Sequence, residues 1–170
     1  GNQCIVVSLD VGRGSSEKQE VFIRGGTTAT GVEPRELALR MERLGAGEIF
    51  LTSIEKDGSR QGYDLELIKR VSEGVNVPVI ASGGVGHPQH FVDGFLLGKA
   101  TACAAGNFFH FTEHSPITTK SFLLQKGINV RLDTHAHYED STFDAQGRVA
   151  KRGDSYLEKI RFEHFPKEVI

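Results

Sequence analysis

Apolar runs of strand length alternate with segments of helical period along most of this chain, and this alternation restricts the possible folds more than any other feature. The runs predicted to form strands are Cys4–Leu9, Glu48–Ser53, Val77–Ser82 and Thr101–Ala105. The predicted helices are Glu33–Leu44, Leu65–Glu73 with Asp64 as its N-cap, one that begins near Pro88, and one that Ser115-Pro116 caps and Gly127 ends. Strands that alternate with helices are typical of a parallel α/β fold, so we predict an α/β chain of about four strand–helix units.

Two segments depart from this alternation. The residues Glu20–Arg24 alternate in polarity and precede Gly25-Gly26, which predicts a small hairpin within a long loop. From position 133 to 170 the chain is largely polar, with a possible hairpin around Asp144–Gly147. We therefore predict two regions, an α/β region over residues 1–132 and a C-terminal extension over 133–170.

Glycines follow the third and fourth predicted strands at corresponding points. The third strand leads into Gly83-Gly84, and the fourth leads into Gly106-Asn107. Glycine lets backbone N–H groups approach a ligand closely, and the start of a helix favours negative charge. In (β/α) barrels the loops after the last two strands frequently hold a phosphate. We predict that these four residues bind a phosphorylated small molecule, although any tight strand–helix turn also needs glycine.

Composition argues against several classes of function. The chain has 170 residues, and its 20 Lys and Arg against 22 Asp and Glu give a formal net charge of -2. Binding to nucleic acid or to an anionic membrane would need a basic excess, so we expect neither. The sequence has no apolar run long enough to cross a bilayer. We expect a cytoplasmic protein without a metal or an organic cofactor.

Cys4 and Cys103 are the two cysteines of the chain, and each lies in an apolar run. This placement predicts free, buried thiols rather than a disulfide framework or a metal site. His110 lies between aromatic residues, and we expect it to be a packed histidine rather than a general base.

The residues of the first 132 positions resemble the cyclase subunit of imidazole glycerol phosphate synthase, a TIM barrel. The segments that carry the resemblance are Val6–Asp10, Thr30-Gly31, Gly45–Ile54, Asp57-Gly58, Gly62–Asp64, Ile80–Gly84, Phe109–Phe111 and Gly127–Arg131. The resemblance implies that residues 1–132 correspond to the second half of the (β/α)8 barrel, strands five to eight. It also implies a partner glutaminase subunit, whose ammonia passes through the barrel to a phosphorylated substrate.

The same resemblance implies roles for individual residues. Asp10 would be one of two carboxylates that transfer protons, because the reaction needs an acid and a base on opposite sides of the substrate. Its predicted position at the end of a strand is where barrel enzymes carry catalytic residues. Thr52, Asp57 and Ser82 would join the four glycine-turn residues in binding the substrate.

The chain also departs from the family pattern. Glu55 and Gly106–Phe108 replace residues that the family usually has, and residues 133–170 exceed the usual barrel. These departures favour a related branch that supplies ammonia to a sugar amidotransferase for acetamidino modification of surface sugars. The alternatives are a true cyclase of histidine biosynthesis and, in a different class, a non-catalytic scaffold and ammonia conduit.

About four strand–helix units cannot close a barrel, which needs roughly 250 residues. A truncated chain, a half-barrel that pairs with itself and a processed chain would each account for this length, and the start at Gly1 without Met favours truncation. We expect the isolated chain to be an incomplete enzyme.

Overall fold

A computed structural model describes residues 1–15, 17–132, 138, 140–153 and 155 of the chain. A short 3-10 turn at Asn2–Cys4 precedes the regular elements. In chain order these are β1 (Val6–Arg13), β2 (Gln19–Ile23), β3 (Thr28–Ala29), α1 (Pro34–Arg43), β4 (Glu48–Ser53), α2 (Leu65–Ser72), β5 (Val79–Ser82), α3 (Pro88–Leu96), β6 (Ala102–Cys103), α4 (Asn107–His110) and α5 (Pro116–Gln125).

The strands of the described residues form one sheet in the order β3-β2-β1-β4-β5-β6. Strands β1, β4, β5 and β6 run parallel to one another, whereas β2 pairs antiparallel with both β1 and β3. The chain is therefore α/β with a parallel-rich sheet, which confirms the predicted fold class at this level. Closure into an eight-stranded barrel, and the assignment of these strands as five to eight, stay predictions.

The core lies on one face of the sheet, beneath the helices. Alternate residues of β1, β4 and β5 point to that face and are almost fully buried: Leu9, Val11, Ile49, Leu51, Val79 and Ala81. Buried residues of the helices complete this core, including Leu67, Ile68, Phe91 and Val92. On the opposite face Phe50 and Ile80 are half-buried, and Val6 is 50% exposed. The sheet thus has one covered face and one open face within the described residues.

Side chains at the helix starts satisfy backbone N–H groups that have no partner inside the helix. The Asp64 carboxylate accepts a hydrogen bond from the Leu67 N–H at 3.0 Å, which confirms Asp64 as the N-cap of α2. Ser115 caps α5 as predicted, and it does so through a reciprocal capping box with Thr118.

The ends of several predicted strands differ from the structure. We predicted a first strand over Cys4–Leu9 that ends at Asp10, but β1 continues to Arg13 because Asp10–Arg13 pairs antiparallel with Gln19–Phe22. Strand β5 begins at Val79 rather than at Val77, since Pro78 has no N–H to donate to a neighbouring strand.

The prediction of buried thiols is wrong for Cys4. This residue lies in the 3-10 turn before β1 and is exposed, because nothing in the described part of the chain covers the start of the sheet there. Cys103 is half-buried in β6. Among the described residues, no helix combines the length and the apolar character needed to cross a membrane.

Part of the C-terminal extension packs against the α/β region. Its hairpin forms around Asp144–Gly147 as predicted, closed by an antiparallel bridge between Phe143 and Val149. The Phe143 ring meets the Phe122 ring of α5 edge-on, with centroids 5.3 Å apart. Positions 133–137, 139, 154 and 156–170 lie outside the described residues, and the division into two regions stays a prediction.

Candidate functional site

Three of the predicted site residues form a row across the open face of the sheet. Asp10 pairs with Thr52 of β4, and Thr52 pairs in turn with Ser82 of β5. Because neighbouring strands lie about 4.8 Å apart, this row spans about 10 Å. We predicted that Asp10 ends its strand, but β1 continues to Arg13. Asp10 lies one residue before the last pair of the parallel β1–β4 ladder, Val11 with Ser53, and β1 then continues against the antiparallel β2.

The turn after β5 requires glycine at two consecutive positions. Gly83 and Gly84 are buried and have φ angles of +93° and +105°, in the left-handed region that side chains rarely adopt. A Cβ on Gly83 would lie 2.9 Å from the Ser53 carbonyl oxygen, and a Cβ on Gly84 would collide with the Gly62 carbonyl oxygen. The two glycines therefore allow the turn to pack directly against the β4–α2 loop.

This turn and the end of β6 enclose a small cavity. Six of the eight predicted site residues line it: Asp57, Ser82, Gly83, Gly84, Gly106 and Asn107. Asp10 and Thr52 do not line the cavity, but they join it through the row that ends at Ser82. The fold therefore brings together residues that are up to 97 positions apart, between Asp10 and Asn107.

The backbone amides around this cavity are available to a ligand. Within the described residues, the N–H groups of Gly83, Gly84, Gly106 and Asn107 donate no hydrogen bond. Gly83 and Gly84 are buried, where unpaired N–H groups are rare, whereas Gly106 and Asn107 are exposed. Unpaired backbone amides that line a cavity are suited to an anion. The start of α3 contributes less than we expected, because the Gln89 N–H already donates to the His87 ring and the Gly86 N–H to the His90 ring.

Three hydrogen bonds hold the β4–α2 loop against the site. The Asp57 N–H donates to the Ser53 carbonyl at 3.0 Å, and the Gly62 N–H donates to the Gly84 carbonyl at 2.7 Å. The Tyr63 hydroxyl donates to the Ala104 carbonyl at 2.9 Å, which connects this loop to the end of β6. The loop therefore fixes both glycine-bearing strand ends.

Burial shifts the ionisation of two groups behind the site. It raises the pKa of the Tyr63 hydroxyl, with a smaller contribution from the neighbouring Cys103. It also raises the pKa of the Cys103 thiol to about 12, so this thiol is a poor nucleophile at neutral pH. Tyr63 and Cys103 thus support the site through packing and hydrogen bonding.

Three residues at or behind the site are not predicted from the sequence patterns: Arg60, His87 and His90. Arg60 lines the cavity and has a φ of +61°, a backbone conformation that tends to occur at functional sites. The two histidines lie one turn apart, directly after the glycine turn, and this spacing is visible in the sequence. The prediction for His110 is wrong, because this residue is exposed on the short helix α4.

Comparison with known proteins agrees with this arrangement of elements. The family described as "Histidine biosynthesis protein" matches residues 1–115. The chain is 47% identical over 131 residues to the imidazole glycerol phosphate synthase subunit HisF of Alkaliphilus metalliredigens (strain QYMF). That match covers 77% of this chain and 52% of the relative, so the chain spans about half the length of the curated relative it matches. The chain belongs to the histidine biosynthesis protein family, whose fold is a (β/α)8 barrel.

Proposed function

We propose that this chain is the second half of a cyclase subunit of imidazole glycerol phosphate synthase. The single observation that carries the proposal is the convergence of Asp57, Ser82 and the two glycine turns on one cavity, in continuation of the Asp10–Thr52–Ser82 row. The 47% identity to a HisF subunit supports this reading over the sugar-modification branch that the sequence departures had favoured.

In this proposal the cavity binds a phosphate of the substrate. The free amides of Gly83, Gly84, Gly106 and Asn107 donate to its oxygens, and the Asn107 side-chain amide adds a further donor. Arg60 at the rim supplies positive charge. Backbone donors are suited to this task because a phosphate oxygen accepts from several N–H groups at once, and no proton has to move.

Asp10 performs acid–base chemistry on the bound substrate. Its carboxylate belongs to the same row as Thr52 and Ser82, within about 10 Å of the phosphate cavity. A second carboxylate, supplied by the strands that this chain lacks relative to a full barrel, acts on the opposite side. Ammonia from a glutaminase subunit reaches this face through the barrel and joins the phosphoribulosyl intermediate.

The replacement Asp10→Asn tests this assignment in the protein with the other half of the barrel present. We expect ammonia-dependent cyclase turnover to fall about 100- to 10,000-fold, as on loss of a general acid or base. The exposed Asp140→Asn in the C-terminal hairpin is the matched control and keeps full turnover. Full turnover by Asp10→Asn would refute the catalytic role.

A second candidate is the branch that serves acetamidino modification of surface sugars, together with a sugar amidotransferase. The C-terminal extension favours it. The hairpin that contains Phe143 packs on α5 and adds a surface that residues 1–132 do not form by themselves. In a non-catalytic version of this function the barrel acts only as a scaffold and an ammonia conduit. Unchanged sugar amidination by Asp10→Asn, with no cyclase turnover in the parent protein, would favour the conduit.

A further inference from the structure

Two histidine rings lie at the start of α3, directly behind the glycine turn. The His90 ring accepts a hydrogen bond from the Gly86 N–H through Nδ1 at 3.1 Å. The His87 ring accepts from the Gln89 N–H in the same way at 3.0 Å and serves as the N-cap of the helix. Each of these bonds requires an Nδ1 that carries no proton, so both rings are unprotonated at Nδ1 in this arrangement.

The His90 ring contacts the second loop of the site as well. The ring atoms Cγ and Cδ2 lie 3.5 Å from the position that a Cβ on Gly62 would occupy. Gly62 in turn donates its N–H to the Gly84 carbonyl at 2.7 Å. One side chain therefore touches both backbone segments that form the wall of the phosphate cavity.

Several titratable and charged groups surround His90. Burial and the neighbouring His87 lower the pKa of His90, while Asp93 on the same helix has a smaller opposite effect. Lys56 and Arg60 lie in the β4–α2 loop, against Gly84 and Gly86 respectively. From the C-terminal hairpin, the Ala145 carbonyl lies 3.2 Å from His87 Nε2, and the hairpin's own charges, Asp144 and Arg148, pair with each other.

We propose that His90 is a positioning residue, which holds the Gly83–Gly86 turn in the conformation that binds phosphate. This inference rests on the proposed phosphate site. A neutral ring accepts from the Gly86 N–H and fixes the end of the turn. A protonated ring carries a proton on Nδ1 that faces this N–H, and the resulting repulsion moves the turn away from its phosphate-binding geometry.

Two substitutions distinguish the effect of the hydrogen-bond acceptor Nδ1 of His90 from the effect of the size of its ring. His90→Asn keeps an acceptor oxygen near the position of Nδ1, whereas His90→Phe keeps a flat ring but has no acceptor. We expect His90→Phe to weaken the binding of inorganic phosphate by the full chain about fivefold to tenfold, the effect of one lost hydrogen bond. We expect His90→Asn to restore most of this affinity. A readout of amide hydrogen exchange at Gly84 and Gly86 should change in parallel.

The pH dependence tests the same inference without a change of fold. Inorganic sulfate is the probe, because it stays a dianion throughout the range in which histidine titrates. We expect binding to weaken on acidification, with a midpoint below the ordinary histidine range, and this component to be absent in His90→Asn. His87→Asn should raise the midpoint and Asp93→Asn should lower it, since these groups shift the pKa of His90 in opposite directions.

The outcomes distinguish the two proposals. If the parent chain binds neither phosphate nor sulfate, the proposed phosphate site fails. If the parent chain binds phosphate but His90→Phe has unchanged affinity and unchanged amide exchange at Gly86, the role of His90 is overturned and the site stands. An unaltered pH profile in His90→Asn would also overturn it.

Discussion

At the scale of single residues, the backbone of Gly84 has a φ of +105° and its α-carbon faces the Gly62 carbonyl oxygen. A side chain here would be strained by the backbone conformation and would also collide with a main-chain atom that cannot move aside. Gly83 is subject to the same two constraints. The requirement for glycine at this turn is therefore steric and does not depend on any ligand.

Gly84→Ala should consequently lower the free energy of unfolding by more than about 1 kcal/mol. It should also reduce phosphate affinity, because the Gly84 N–H would leave its position at the cavity. Urea unfolding and phosphate titration measure the two effects. Gly58→Ala is a useful comparison, since Gly58 also has a positive φ of +73° but its Cβ would meet nothing within 4 Å. Equal losses of unfolding free energy in Gly84→Ala and Gly58→Ala would show that the contact with Gly62 makes no contribution to stability.

The two cysteines should react very differently with a thiol reagent. Cys4 is exposed and should be modified at once, whereas the half-buried Cys103, whose pKa is raised to about 12, should react much more slowly in the folded protein. Cys4→Ser isolates the Cys103 signal. Modification of Cys103 in the folded Cys4→Ser protein as fast as that of Cys4 in the parent would contradict the raised pKa of the Cys103 thiol.

The raised pKa of Cys103 also predicts how stability depends on pH. The thiol has its ordinary pKa of about 8.5 in the unfolded chain, and burial raises this pKa to about 12 in the folded chain. The folded state therefore holds this proton over a range in which the unfolded state releases it. The contribution to stability is complete below the lower value and is lost as the pH rises through this window. A Cys103→Ala comparison in urea, at neutral and alkaline pH, measures it.

At the scale of elements, α3 packs closely against the loop and strand behind the site. Gly94, in the middle of this helix, is buried, and a Cβ there would lie 2.9 Å from the Cys103 sulfur and 3.1 Å from the Tyr63 ring. The absence of a side chain allows the helix to approach β6. The helix also carries Phe91, which meets the Tyr63 ring edge-on at 6.1 Å.

Gly94→Ala should destabilise the protein by about 1–3 kcal/mol, the usual cost of overpacking. This cost outweighs the gain of about 1 kcal/mol that alanine has over glycine within a helix. The midpoint of thermal unfolding shows whether Gly94→Ala lowers or raises the stability of the protein. Leu96→Ala on the same helix, at a side chain that is 51% exposed, should have a much smaller effect. A more stable Gly94→Ala protein would mean that α3 can move away from β6.

At the scale of the whole molecule, the sheet has one covered and one open face. The open face carries Asp10, Thr52 and Ser82 together with the half-buried Phe50 and Ile80. In the proposed function this face becomes the interior of a barrel when the other strands are added. In this proposal the polar residues of the open face contact the substrate, and its apolar residues pack against the other half of the barrel. Both sets therefore belong to the same surface.

The proposal predicts that this chain alone has little cyclase turnover and that the first half of the HisF relative restores it on co-expression. Phe50→Glu on the open face should prevent this association, because it places a charge where apolar packing is needed. Phe111→Glu, at a residue that is 72% exposed, should not. Co-purification and ammonia-dependent turnover are the measurements. Turnover by the isolated chain at the rate of the assembled protein would contradict the prediction.

The sequence by itself determined the elements and the glycine turns. The period of the apolar residues predicts helix or strand locally, so Glu48–Ser53 matches β4, and Asp64 and Ser115 cap helices as expected. The pair Gly83-Gly84 is visible in the sequence directly after an apolar run, and the positive φ of both residues explains why glycine stands there. Such features depend only on residues that are close together in the chain, so they can be predicted from the sequence.

Only the tertiary structure decided the relations between distant residues. The row in which Asp10 pairs with Thr52 and Thr52 pairs with Ser82 follows from sheet register, and the antiparallel β2 extends β1 beyond its predicted end. The exposure of Cys4 and His110 and the bond from Gly86 to His90 likewise depend on what packs around them. Burial and long-range contacts arise from the whole fold, and local patterns of polarity do not contain them.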